Sequence, residues 1–188
     1  IPKNIQQQES VVDFNVKFDC PSYKPNLNPS VLQCKKAANE IQASKRPVIY
    51  AGGGIVSSGA SQELRAFAKK TGIPVTTTVM GLGAFPSNDP LSLRMLGMHG
   101  AVYANIAMNH ADLVIAMGVR FDDRVTGKLA EFCKRARFIH IDIDPTEINK
   151  NITIDVPIQG DVKQALKILD KYVEPKKDIK PWIKQVND

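Results

Sequence analysis

The sequence predicts an α/β domain, a doubly wound parallel sheet of about six strands with helices on both faces. Three observations carry that expectation. Short apolar runs without alternation, such as Pro47-Val48-Ile49-Tyr50-Ala51 and Leu113 to Met117, read as strands covered on both sides. Between them lie longer stretches with apolar residues at helical spacing, so strand and helix alternate as in successive βα units. At 188 residues with 43% hydrophobic content, the chain has enough core for one such domain and is tight for two.

Residues 1–28 carry Pro2, Pro21 and Pro25 with little periodicity and predict an extended leading segment from a preceding domain. Asn28-Pro29 is the expected N-cap and first position of a helix whose Val31, Cys34, Ala38 and Ile41 share one face. The strand at 47–51 runs into the loop Gly52-Gly53-Gly54. Ser57 or Ser58 is then expected to cap a helix whose stripe of Ala60, Leu64, Phe67, Ala68 and Thr71 stops at Gly72. A strand at 74–78 follows at once. Residues 102–110 read as a helix, 113–117 as a strand ending at Gly118, and 138–143 as a strand ending at Asp144-Pro145. A weaker strand at 154–158 precedes Gly160-Asp161, where Asp161 caps a helix carrying Val162, Ala165, Leu166, Leu169 and Tyr172. The lysine-rich tail 174–188 reads as a linker to a following domain, which leaves 29–173 as the α/β unit.

Several function classes are disfavoured. The net charge of +6 is spread along the chain with no aromatic-interleaved basic patch, so nucleic acid is not an expected partner. Residues 111–119 form the longest strongly apolar stretch, far short of the roughly 20 residues a membrane helix needs, and no signal-like stretch opens the sequence. Cys20, Cys34 and Cys133 are odd in number and widely spaced, so neither a disulfide framework nor a metal site is expected, and a reducing compartment is. Gly52-x-Gly54-x-x-Ser57 lacks the third glycine of a dinucleotide fingerprint, and Thr76 to Thr78 stand where its acidic ribose ligand belongs.

Five loops sit directly after expected strands, where doubly wound folds bind ligands: 52–54, 78–83, 118–126, 142–144 and 160–161. Their glycines bring backbone N–H groups close to a ligand or else only make tight turns. Arg120 and Arg124 either neutralise a diphosphate or pair locally with Asp122 and Asp123, and Asp142 is placed to accept ribose hydroxyls. His99 and the methionines, Met98 among them, have ordinary packing roles as their alternative.

In order along the chain, Pro2-Lys3-Asn4-Ile5-Gln6-Gln7-Gln8, Met80-Gly81-Leu82-Gly83-Ala84-Phe85-Pro86, Leu96-Gly97-Met98-His99-Gly100, the run from Gly118 to Lys128, and His140-Ile141-Asp142-Ile143-Asp144 resemble successive motifs of the acetolactate (acetohydroxyacid) synthase catalytic subunits. The resemblance runs from Pro2 to about Leu169 and implies the middle, FAD-binding domain of a three-domain enzyme that uses thiamine diphosphate and Mg²⁺. Such enzymes decarboxylate pyruvate and join the two-carbon remainder to a second 2-oxo acid, giving 2-acetolactate or 2-aceto-2-hydroxybutyrate for branched-chain amino acids. FAD is largely structural there. Family features imply a homo-oligomer, dimer or tetramer, with a possible regulatory subunit, in the bacterial cytoplasm or a eukaryotic plastid or mitochondrion.

By matched motif, the resemblance implies FAD contacts at Gly52, Gly53, Gly54, Thr78, Val79, Met80, Leu96, Gly97, Met98, His99, Gly118, Val119, Arg120, Phe121, Asp122, Arg124, Val125, Asp142, Ile143, Asp161 and Val162. It places Lys3, Met98, Asp123 and Arg124 at the channel to thiamine diphosphate. No catalytic residue is expected within these 188 residues, so the domain alone is expected to be inactive. A sibling carboligase or decarboxylase on the same scaffold is disfavoured by the string from Val119 to Lys128. A sirtuin-like deacylase would need four zinc-binding cysteines. A stand-alone nucleotide-binding module is the non-enzyme alternative.

Overall fold

The computed structural model describes residues 1–15, 17, 24–176 and 178–187, so Cys20 and Pro21 lie outside it. Six strands are present: β1 Pro47–Ala51, β2 Val75–Thr77, β3 Ser92–Met95, β4 Leu113–Met117, β5 Arg137–Asp142 and β6 Val156–Gln159. They form one parallel sheet in the order β3-β2-β1-β4-β5-β6. Strands β1 and β4 are buried along their whole length, which is why their sequences are apolar without alternation.

The helices are α1 Lys3–Gln6, α2 Val31–Ala43, α3 Gly53–Ser57, α4 Ser61–Thr71, α5 Val102–His110, α6 Asp123–Thr126, α7 Val162–Tyr172 and α8 Lys180–Asn187. On one face α7 packs against both α2 and α4. On the other, α5 and the segment 119–136 cover the sheet, joined where Asn109 Oδ1 accepts the Cys133 N–H at 3.2 Å. The fold class, the bounds of α5 and β4, the left-handed stop at Gly72 (φ 73°) and the Asp161 cap, which accepts from Gln164 N–H at 3.0 Å, all match the sequence expectation.

Other expectations are corrected. The cap of α2 is Ser30, not Asn28, because residues 27–29 are held against the β6–α7 turn, with Asp161 N–H donating to the Leu27 carbonyl at 3.0 Å. Neither Ser57 nor Ser58 caps α4; residues 53–57 coil into α3, and α4 starts after Ala60 with no side-chain cap. Strand β3 was not located by pattern, being a short edge strand with a register shift against β2 at Val75/Thr76 and a left-handed Arg94 at φ 57°. Within the expected linker 174–188, the described residues Ile179 and Trp182 are buried against the domain, and Trp182 Nε1–H donates to the Pro47 carbonyl at 3.1 Å.

Candidate functional site

Strand order reverses between β1 and β4, the place where such sheets form a ligand crevice. Here the two strand-end loops interlock backbone to backbone. Gly54 N–H donates to the Gly118 carbonyl at 3.2 Å, and a Cβ on Gly52 would sit 2.1 Å from that same oxygen. Gly118 itself turns at φ +60°. Above this floor opens a cleft of about 880 Å³, near the upper end of the roughly 300–1,000 Å³ usual for small-molecule sites.

Most of the expected residues line it: Gly53, Gly54, Thr78, Val79, Met80, Leu96, Met98, His99, Gly118, Val119, Arg120, Asp122, Arg124, Val125, Asp142, Ile143, Asp161 and Val162. Gly53 lies against Met80, whose Cβ would be 3.1 Å from an added Cβ, so a narrow cradle forms between the first two loops. Thr78 caps the short 3₁₀ turn Val79–Gly81 by accepting the Gly81 N–H at 3.0 Å, which fixes Met80 over the cleft.

Five expected residues are not on its walls. Gly52 is consumed in the interlock with Gly118, and Gly97, at φ +99°, packs 2.9 Å from the Arg124 carbonyl by its Cβ position. The Phe121 ring turns inward, edge-on to Tyr50, Phe132, Phe138 and His140. Asp123 begins α6 facing solvent, and Lys3 lies in exposed α1, whose hydrogen bonds among the described residues stay within residues 1–8. The lining missed by sequence reasoning comprises Tyr50, Ser57, Ser58, Met95, Ile141, Asp144 and Glu147. Asp144 was visible as the end of the 142–144 loop. Ser57 and Ser58 come into reach only because residues 53–57 coil into α3.

The charged lining comes from neighbouring strand ends: Arg120, Asp122 and Arg124 follow β4, Asp142 ends β5, Asp144 and Glu147 follow it, and Asp161 follows β6. Arg120 also pairs with Asp122 at 3.2 Å, but both are exposed, so that pair contributes little to stability. Hydrogen bonding with Asp123, the Arg124 backbone N–H and the nearby guanidinium charges hold the Asp122 carboxyl below the usual range. Asp144 is also lowered, chiefly by Thr146. Burial pushes the Tyr50 phenol upward, so it stays a neutral hydroxyl at the cleft wall. Arginines can neutralise phosphate and carboxylates can accept from sugar hydroxyls, so a lining that holds both suits a phosphorylated nucleotide.

The model of the family described as "Thiamine pyrophosphate enzyme, central domain" matches residues 34–169. The maize protein "Acetolactate synthase 1, chloroplastic" is 53% identical over 176 residues, covering 93% of this chain and 27% of its own length. From Buchnera aphidicola, "Acetolactate synthase large subunit" is 46% identical over 97% of the chain and 33% of its own length. "Acetolactate synthase, chloroplastic" of Arabidopsis thaliana is 47% identical over 100% of the chain and 29% of its own length. The chain therefore spans about a quarter to a third of the curated relatives it matches.

Proposed function

The chain belongs to the thiamine pyrophosphate enzyme central-domain family, and from that premise we propose that it is the FAD-holding central domain of an acetolactate synthase. The supporting observation is the convergence of loops after β1, β2, β3, β4, β5 and β6 on one cleft lined by two arginines and several carboxylates. Residues Gly53 and Met80 form a cradle that a side chain at 53 would fill, which fits close approach of a flat or extended ligand.

In this reading Arg120 and Arg124 neutralise the FAD diphosphate, Asp142 accepts from ribose hydroxyls, and Leu96, Met98 and Val125 shield the apolar part of the ligand. FAD is held as a structural element. Thiamine diphosphate and Mg²⁺, carried elsewhere in the longer chain, supply the carbanion chemistry by which two 2-oxo acids are joined with loss of CO₂. Met98 and Arg124, exposed residues of the cleft lining, take the channel role in this reading, with the arginine steering an anionic 2-oxo acid. Assembly into a homo-oligomer, with a regulatory subunit, belongs to the same reading, as does a plastid or bacterial cytoplasmic setting.

The test uses the full-length protein. Supplied with FAD, thiamine diphosphate and Mg²⁺, it is expected to convert pyruvate to 2-acetolactate and CO₂, and Arg120→Ala/Arg124→Ala is expected to weaken FAD binding about tenfold or more. Full-length protein that neither binds flavin nor forms acetolactate would overturn the reading.

A further inference from the structure

We propose that His140, which does not line the cleft, is a positioning residue that turns the Arg120 N–H toward the diphosphate of the bound nucleotide, an assignment that rests on the FAD reading of the cleft. The His140 ring is fully buried, and its Nε2 lies 2.9 Å from the Val119 carbonyl oxygen. A carbonyl can only accept, so Nε2 carries a hydrogen and donates it to Val119, while the Asp142 carboxylate stands 3.7 Å from the same nitrogen, beyond hydrogen-bond reach, and Nδ1 has no partner. The peptide unit joining Val119 to Arg120 is planar and trans, so its C=O and N–H point in opposite directions. Tying the carbonyl down to a ring beneath the floor aims the N–H the other way, and both Val119 and Arg120 line the cleft. Two peptides on, Asn151 Nδ2–H donates to the Phe121 carbonyl at 3.0 Å, a second side-chain hold on the same loop.

Sheet register explains why a histidine stands there. Tyr50, Ala116 and His140 are lateral partners across β1, β4 and β5, so their side chains share one face. Ala116 is small, and the Phe121 ring lies between its larger neighbours, 5.8 Å from Tyr50 and 5.2 Å from His140. Phe121 reaches that position from a left-handed backbone, φ 49°, a strained conformation that persists where the surroundings over-determine it. The ring wedge and the Nε2–H donor together fix the turn. A histidine serving only as core filler would leave the Val119 carbonyl indifferent to what replaced it.

The experiment compares His140→Phe, which keeps a flat ring but has no donor, with His140→Gln, which returns an N–H near the Nε2 position, both in the full-length protein. His140→Phe is expected to weaken ADP and FAD about tenfold, the equivalent of one hydrogen bond. His140→Gln should recover most of that loss, and adenosine, which has no diphosphate, should bind all three proteins alike. If His140→Phe binds ADP as tightly as the parent, or loses adenosine and ADP equally, the positioning role is overturned while the cleft reading stands. A parent that binds neither FAD nor ADP overturns both. Should His140→Phe fail to fold, ¹⁵N spectra of the parent's histidine rings still decide: the Nε2–H tautomer at His140 supports the assignment, and the Nδ1–H tautomer sinks it.

Discussion

At Gly118 a φ of +60° and an implied Cβ only 2.5 Å from the Gly54 Cα leave no space for a side chain. Gly118→Ala is therefore expected to lower the unfolding free energy by about 3 kcal/mol or more, through strain and overlap together, as read from urea unfolding. The buried thiols set a second residue-scale expectation. Burial pushes Cys34 up from 9.0 to about 11 and Cys133 up to about 12. Because these folded values lie above the unfolded one, the associated stability is full below pH 9.0 and is lost as pH climbs through about 11 and 12. Urea midpoints should accordingly fall across that alkaline range. In a Cys20→Ser background, neither remaining thiol should react with a thiol reagent at about pH 8 until the protein is unfolded.

Among the elements, α7 and α8 show opposite degrees of legibility. The α7 stripe of Val162, Ala165, Leu166 and Leu169 is buried and its Asp161 cap forms as its sequence predicts, so Asp161→Ala should cost about 1 kcal/mol in a thermal or urea melt. In α8 the surroundings are lysine-rich and polar, and only contact with Pro47 and Gly72 reveals the burial of Trp182 and Ile179. Trp182→Ala is expected to destabilise by roughly 3–5 kcal/mol, and a far smaller loss would mean the tail is loosely held. Central strands were legible because burial on both faces leaves a continuous apolar string. Strand β3 was not, since one edge strand with a shifted register has neither that string nor strict alternation. Cleft residues in the loops after β1, β2, β4, β5 and β6 were legible for a topological reason, each loop following a strand directly, whereas Leu96, Met98 and His99 after β3 rested on the family resemblance alone. Which way Phe121 points was not, because it depends on Tyr50 and His140, which β1 and β5 bring from distant parts of the sequence to either side of Ala116.

For the whole molecule, the cleft gathers arginines, carboxylates and apolar walls, which the proposed FAD reading assigns to phosphate, hydroxyls and ring. No group of three or more metal-type ligands is placed to hold an ion among the described residues. A purified fragment of residues 24–187 with thiamine diphosphate, Mg²⁺ and pyruvate is expected to form no acetolactate, whereas millimolar ADP or FAD should raise its melting temperature by several degrees, on the order of 2–3 kcal/mol of ligand stabilisation. Product formation by the fragment would show that this domain holds more of the machinery than its cleft suggests. The two ends of the domain also differ in where they sit. Residues 27–29 lie against Gly160 at the carboxyl ends of the strands, and Trp182 lies under Pro47 at their amino ends. Residues 27–29 and Trp182 thus sit at opposite ends of the same parallel strands. Force applied between residue 27 and Trp182 would load the strands lengthwise, in shear, rather than peel them apart one at a time.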